Sequence, residues 1–226
     1  FLVVTSFGGG GAGRKASIDL PEDYWYFGYV PTNVIVKHDY WIRNSGVDTL
    51  RIDKIVSHCD CTSVSLEKNA IAARDSARLE VIFDTANLRG KVIKKIDIIA
   101  NDPDQPQTSI RLFARVKSQH PTITVTPETV SFPRVTIRNL KSKESVTVWN
   151  NSESDIELKI IDPPHPPFNA RLARNHLRSG ASTKIDVRLT QIPEKAGIIN
   201  SSLTVEFTAE ETERITIPIT ALYQAE

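Results

Sequence analysis

The run Ser57-His58-Cys59-Asp60-Cys61-Thr62 is where this 226-residue sequence concentrates side chains able to do chemistry. Thiolates and neutral imidazoles are ligands for soft and borderline ions. Cys59 and Cys61 with His58 therefore fit Cu(I) or Zn(II). The same thiols can close a local disulfide, structural or redox-active, or pack as two small apolar side chains at a strand end. In a strand, residues two apart share a face, with Cα atoms about 6.6–6.8 Å apart. A disulfide asks for Cα atoms about 4.4–6.8 Å apart and Cβ atoms about 3.5–4.5 Å apart, so the bridge needs a kink or a strand end. Asp60 and Thr62-Ser63 permit a turn there. His58 has the opposite strand parity to both cysteines and joins them only where the strand breaks. At most three ligands are present, where a closed zinc site takes four. The residues leave all three readings open.

Other constellations carry less chemistry. Asp84, Asp102 and Asp104 suggest calcium, but Asn101-Asp102-Pro103-Asp104 reads as a hairpin turn. No nucleophile elbow surrounds any serine. Gly8 to Gly11 lacks the Gly-Lys-Ser/Thr that completes a phosphate loop. No catalytic residues are assigned, and the chain is expected not to be an enzyme. Tyr24-Trp25-Tyr26-Phe27 is an aromatic cluster that caps the first strand, with Tyr24, Trp25 and Tyr26 as the alternative contact patch for a partner. Pro163-Pro164-His165-Pro166-Pro167 reads as a stiff inter-strand loop, with partner recognition as the alternative. Asn150-Asn151-Ser152 and Asn200-Ser201-Ser202 match the glycosylation acceptor pattern. With 28 basic and 27 acidic residues the net charge is +1, so no bulk field points to nucleic acid or an anionic membrane.

The elements that position these residues are strands. Val34, Val36, His38, Tyr40 and Ile42 alternate with Ile35, Lys37, Asp39 and Trp41; Leu79-Val81-Phe83 and Leu203-Val205-Phe207 alternate likewise. That period of two marks strands with one buried face. Leu172–Leu177 reads as a short helical turn. Val30, Trp41, Leu50, Ile52, Leu79, Val81, Phe83, Ile96 and Ile98 are the expected core of the first sandwich. The chain also repeats itself: Phe27-Gly28-Tyr29-Val30 is answered by Phe132-Pro133-Arg134-Val135, and Trp41 to Gly46 by Trp149 to Ser152, with all offsets between 105 and 108 residues. A repeat that long is a duplicated domain. The expectation is an all-β chain of two tandem immunoglobulin-like β-sandwich domains, 17–118 and 119–226, behind a flexible N-terminal segment, 1–16. No stretch approaches the roughly 18 continuous apolar residues of a membrane span. Phe1-Leu2-Val3-Val4 before the glycines is compatible with a signal or anchor flank or a tether.

Phe27-Gly28-Tyr29-Val30, Tyr40 to Gly46, Leu50-Arg51-Ile52 and Ser57 to Thr62 resemble, in order and spacing, the bacterial DUF1573 family, which reads roughly F-G-x-V, F-x-N-x-G, L-x-I and S-C-G-C-T. The resemblance continues through Val81 to Thr85, Gly90 and Ala100 to Pro103, covering about residues 17 to 117. His58 and Asp60 depart from the small residue and glycine of the common pattern, and the second half has no cysteine pair. The resemblance implies an immunoglobulin-like fold and export to the periplasm or cell surface, in a family of uncharacterised function. The expected role is a non-catalytic binding or scaffolding protein of the cell envelope, docking a polypeptide partner through sandwich edges or loops. The alternative is a copper- or zinc-binding or thiol-redox protein acting through Cys59 and Cys61.

Overall fold

A computed structural model describes residues 15–117, 120, 122–136, 142–193, 196–209 and 211–224. The expectations for the glycine run and the N-terminal tether lie outside the described residues, apart from positions 15 and 16. The N-terminal half comprises β1 (Ile18–Asp19), β2 (Tyr24–Val30), β3 (Ile35–Asn44), β4 (Leu50–Ser57), β5 (Thr62–Leu66), β6 (Ala70–Ile71), β7 (Ser76–Asp84), β8 (Gly90–Ala100) and β9 (Gln107–Val116). The C-terminal half comprises β10 (Ile123–Thr126), β11 (Val130–Val135), β12 (Lys143–Asn150), β13 (Ile156–Asp162), β14 (Phe168–Leu172), β15 (His176–Leu177), β16 (Ser182–Leu189), β17 (Gly197–Thr208) and β18 (Thr212–Tyr223). No α-helix occurs among the described residues.

Two four-stranded sheets, ordered β1-β3-β7-β5 and β10-β12-β16-β14, accompany one long sheet. The long sheet runs β15-β13-β17-β18-β2-β9-β8-β4-β6, with β11 also paired to β18. Each half has its own core, one built around Phe27, Tyr40, Leu79 and Phe83, the other around Val146, Val187, Leu203 and Ile217. The architecture is an all-β sandwich in both halves, with the long sheet shared. The halves meet where β2 runs parallel to β18, with Ile215 opposite Tyr29. Gly28 makes that approach possible: its φ is +72°, and a Cβ there would lie 1.9 Å from the carbonyl oxygen of Arg214.

The repeat is visible in the hydrogen bonding. Asn44 Nδ2 donates to the carbonyls of Asp48, Ile71 and Ala72. Asn150 Nδ2 donates to those of Ser154, Leu177 and Arg178, at the same sequence distances. Both asparagines are buried, so Asn150 is a structural clamp whose side chain is not presented for glycosylation.

Two expectations need correction. Trp41 is 47% exposed. The inward positions of β3 are Val36, His38, Tyr40, Ile42 and Asn44, and strand parity turns Trp41 outward. Histidine and asparagine take inward places because their polar atoms are fully bonded there. Residues 172–177 form no helix; they are the end of β14, a bend, and β15.

Candidate functional site

The cysteine turn connects β4 to β5, carrying the chain from one sheet to the other. Cys59 and Cys61 are joined by a disulfide with Cα atoms 5.1 Å apart. The chain turns there, as the bridge requires: Thr62 N–H donates to the Cys59 carbonyl at 3.1 Å, and Cys61 N–H points at Cys59 Sγ at 3.1 Å. Cys61 packs against the first core, while His58 and Asp60 are exposed. With both sulfurs in the bridge, neither is a thiolate. The His58 imidazole is engaged elsewhere, with Nε2 2.8 Å from Asp97 Oδ2. His58, Cys59 and Cys61 therefore form no ligand set in this structure. Lys95, Ser109 and His58 all bond Asp97 and hold its carboxyl well below the usual range.

The carboxylates of the turn after β8 are structural. Asp102 accepts hydrogen bonds from the backbone of Ile18, Asp104 and Gln105. Burial opposes the charge, but these donors outweigh it and lower the pKa. Asp84 caps Ala86 instead and does not join them.

The aromatic cluster divides by parity. Tyr24 is exposed on the outer face of the long sheet, edge-on to Phe113, while Trp25 is buried. Trp25 is thus unavailable for contact. Tyr24 and Tyr26 line an apolar groove of about 540 Å³ with Ile93 and Phe113, edged by Lys91, Arg111 and Arg115. Burial and a hydrogen bond to Glu213 push the Tyr26 hydroxyl up to about 12.

A further open feature is an edge. In the sheet β1-β3-β7-β5, only β7 pairs with β5 among the described residues. β5 reads Thr62-Ser63-Val64-Ser65-Leu66, with neither charge nor proline. The other ends are short or guarded: β1, β6 and β15 have two residues each, β14 carries Arg171, and β10 lies between Pro121 and Pro127.

Histidines occupy the junction between the halves. His38 stacks on Trp25, with ring centroids 3.8 Å apart. Its Nδ1 lies 2.8 Å from Asp162 of the C-terminal half, and its Nε2 lies 2.9 Å from Glu22. Burial alone would lower its pKa; the carboxylates of Asp162 and Glu22 prevail and raise it. Beside it, His165 from the proline-rich loop faces Asp39 and Glu80 on β3 and β7. The nearby His165 ring and the Lys37 ammonium bring Glu80 down to about 2, against the opposing effect of burial.

Compared with known sequences, residues 18–116 match DUF1573, a family described as "protein of unknown function". This segment is a DUF1573 unit. A search of curated proteins finds no match. Among solved structures, a protein of unknown function from Porphyromonas gingivalis W83 aligns over 91% of this chain and 99% of its own, at 13% identity and TM-score 0.41. The periplasmic chaperone SfaE aligns over 92% and 100%, at 12% identity and TM-score 0.36. A Caenorhabditis elegans major-sperm-protein family member, WR4, aligns over 46% and 100%, at 17% identity and TM-score 0.33. These likenesses carry no inference about what this chain binds.

Within the DUF1573 unit, the motif residues have physical roles. Gly28 admits the β18 backbone, Asn44 clamps three carbonyls, and at Gly46 a Cβ would lie 2.3 Å from the Lys15 carbonyl oxygen. Sequence reasoning missed the junction histidines. The one available signal was a histidine at an inward position of β3. Nothing local connects His38 to Asp162, or Asp39 to His165, across more than a hundred residues.

Proposed function

We propose that the chain is a non-catalytic binding or scaffolding protein of the bacterial cell envelope. Two tandem immunoglobulin-like domains, 17–118 and 119–226, form its body, and a polypeptide partner docks by strand addition to β5. The observation that carries this reading is the uncharged, proline-free edge of β5. An unpaired edge is a template for another chain unless charge, proline or extreme shortness blunts it. Ser63 and Ser65 are exposed on this strand, while Val64 and Leu66 are half-buried, so a docked strand gains backbone hydrogen bonds beside an apolar row. The Cys59–Cys61 disulfide supports an oxidising, extracytoplasmic setting. Two cores and the repeated asparagine clamp support the two-domain division. The groove at Tyr24 and Tyr26 offers a second contact surface.

The test is a selection of random-sequence displayed peptides on the full chain, followed by calorimetry with the enriched peptides. Ser63→Lys/Ser65→Lys places two charges on the edge at exposed positions, and circular dichroism checks that the fold is kept. Affinity is expected to fall at least tenfold. Unchanged affinity in this variant would place the binding surface elsewhere.

A further inference from the structure

We propose that Asp39, Glu80 and His165 form a binding site for a divalent transition-metal ion, with zinc as the test ion. Asp39 and Glu80 project from neighbouring strands of the N-terminal half, and His165 reaches them from the loop between β13 and β14. One donor atom from each side chain lies within 4.8 Å of the others. Two carboxylates and an imidazole suit zinc and its first-row neighbours, with water completing the coordination.

The comparison with His38 shows why this cluster calls for an ion. His38 also sits between two carboxylates across the same junction, at 2.8 and 2.9 Å. Those are charge-assisted hydrogen bonds of ordinary length, and that group is closed. His165 lies 3.3 Å from Asp39 and 3.6 Å from Glu80; the second is too long for a hydrogen bond. Asp39 Oδ1 and His165 Nδ1 are both sealed from solvent without a hydrogen-bond partner. A buried polar atom left unpaired is costly, and here two lie in one cluster. Donors around a tetrahedral zinc stand about 3.4 Å apart, from bonds of about 2.0–2.2 Å. From separations within 4.8 Å, the three groups would have to rotate inward to reach that spacing on an ion.

Two cations compete. Lys37 lies 3.3 Å from Glu80, and Arg78 lies 3.1 Å from Asp39. The Arg78 side chain is 44% exposed and has solvent to move into, whereas that of Lys37 is mostly covered. The ion must displace or share these contacts, so affinity of micromolar order is expected. Binding would fasten the proline-rich loop to the β3–β7 face and fix the two halves against each other.

The experiment uses the full chain, purified without an affinity tag, stripped with chelator and kept free of reductant so that Cys59–Cys61 stays closed. Zinc is titrated by calorimetry, and thermal unfolding is followed with and without zinc. The expected result is one equivalent bound and a raised melting temperature. Both effects should weaken at least tenfold in His165→Gln and, separately, in Asp39→Asn. His176→Gln is the control, because His176 also lies near two carboxylates, Asp155 and Glu157, but on the exposed surface. No binding by the wild type, or binding that survives both site variants, or binding lost in the His176 control instead, would overturn the proposal.

Discussion

Replacing His38 by phenylalanine tests whether the junction is held by polar bonds or by packing. Phenylalanine keeps a ring of similar size against Trp25, Phe27 and Tyr40, the aromatic neighbours of His38. It removes only the two hydrogen bonds. The stranded partners differ: the Asp162 side chain is 16% exposed and that of Glu22 is 40% exposed. Glu22 recovers water, but Asp162 recovers little. Breaking a buried charged pair by deleting one partner costs about 3–5 kcal/mol. The retained ring packing and the solvated Glu22 place His38→Phe near the low end, at about 3 kcal/mol. Asp162→Leu leaves His38 bonded to Glu22 and should cost less, about 1.5–2 kcal/mol, the worth of one hydrogen bond to a charged group. In the His38→Phe/Asp162→Leu double variant only the solvent-exposed Glu22 loses its partner and no buried charge is stranded, so its cost should fall short of the sum by at least about 1 kcal/mol, within the usual range for contacting residues. The assay is urea unfolding of the four proteins, read by fluorescence in a Trp41→Phe/Trp149→Phe background that leaves Trp25 as the reporter. Additivity within about 0.5 kcal/mol would refute the reasoning, because distant, uncoupled sites behave that way.

Gly28→Ala should destabilise by more than about 2 kcal/mol, since the left-handed backbone alone costs about 1–2 kcal/mol for a residue with a Cβ and Arg214 occupies the space. Gly180→Ala is the control: its φ is +71°, but nothing lies within 4 Å of the added carbon, so only the backbone cost of about 1–2 kcal/mol applies. Equal losses in urea midpoints would show that the β2–β18 approach is not limiting. Reduction of Cys59–Cys61 should lower stability by about 1.5 kcal/mol, the chain-entropy value for a three-residue loop, as measured by unfolding with and without reductant.

Strand positions, the repeat and most of the first core were legible because they are local: alternation fixes a face, and turn residues fix an end. Trp41 went astray through side-chain size. Tyr40 and Ile42 already claimed the inward parity of β3, and a large aromatic does not reverse it. The β2–β18 pairing was not legible because its mark in β2, Gly28, signals a close backbone approach without saying which strand approaches. The junction histidines were hidden for the same reason: each carboxylate partner is ordinary in its own segment and meaningful only after both halves dock. The cysteine turn was half legible, since spacing limited the geometry but left the bonding open.

The repeat also says what the cysteine bridge does. Thr62 N–H bonds the Cys59 carbonyl, and Phe168 N–H bonds the His165 carbonyl, both at 3.1 Å. Asp84 N–H bonds the Cys61 carbonyl, and Thr190 N–H bonds the Pro167 carbonyl, both at 2.8 Å. Cys59 and His165 therefore hold the same place in the two halves, as do Cys61 and Pro167. One turn between sheets is built twice. In the first half a disulfide stiffens it; in the second, Pro163, Pro164, Pro166 and Pro167 limit the backbone directly. Two unrelated devices at one position point to a shared mechanical need, which is to hold the crossover that launches β5 and β14. A bridge kept for that purpose directs β5 to the sheet edge, which is the strand proposed to receive the partner. Reduction should therefore weaken peptide binding at β5 as well as stability, and binding that is indifferent to reduction would separate the two roles.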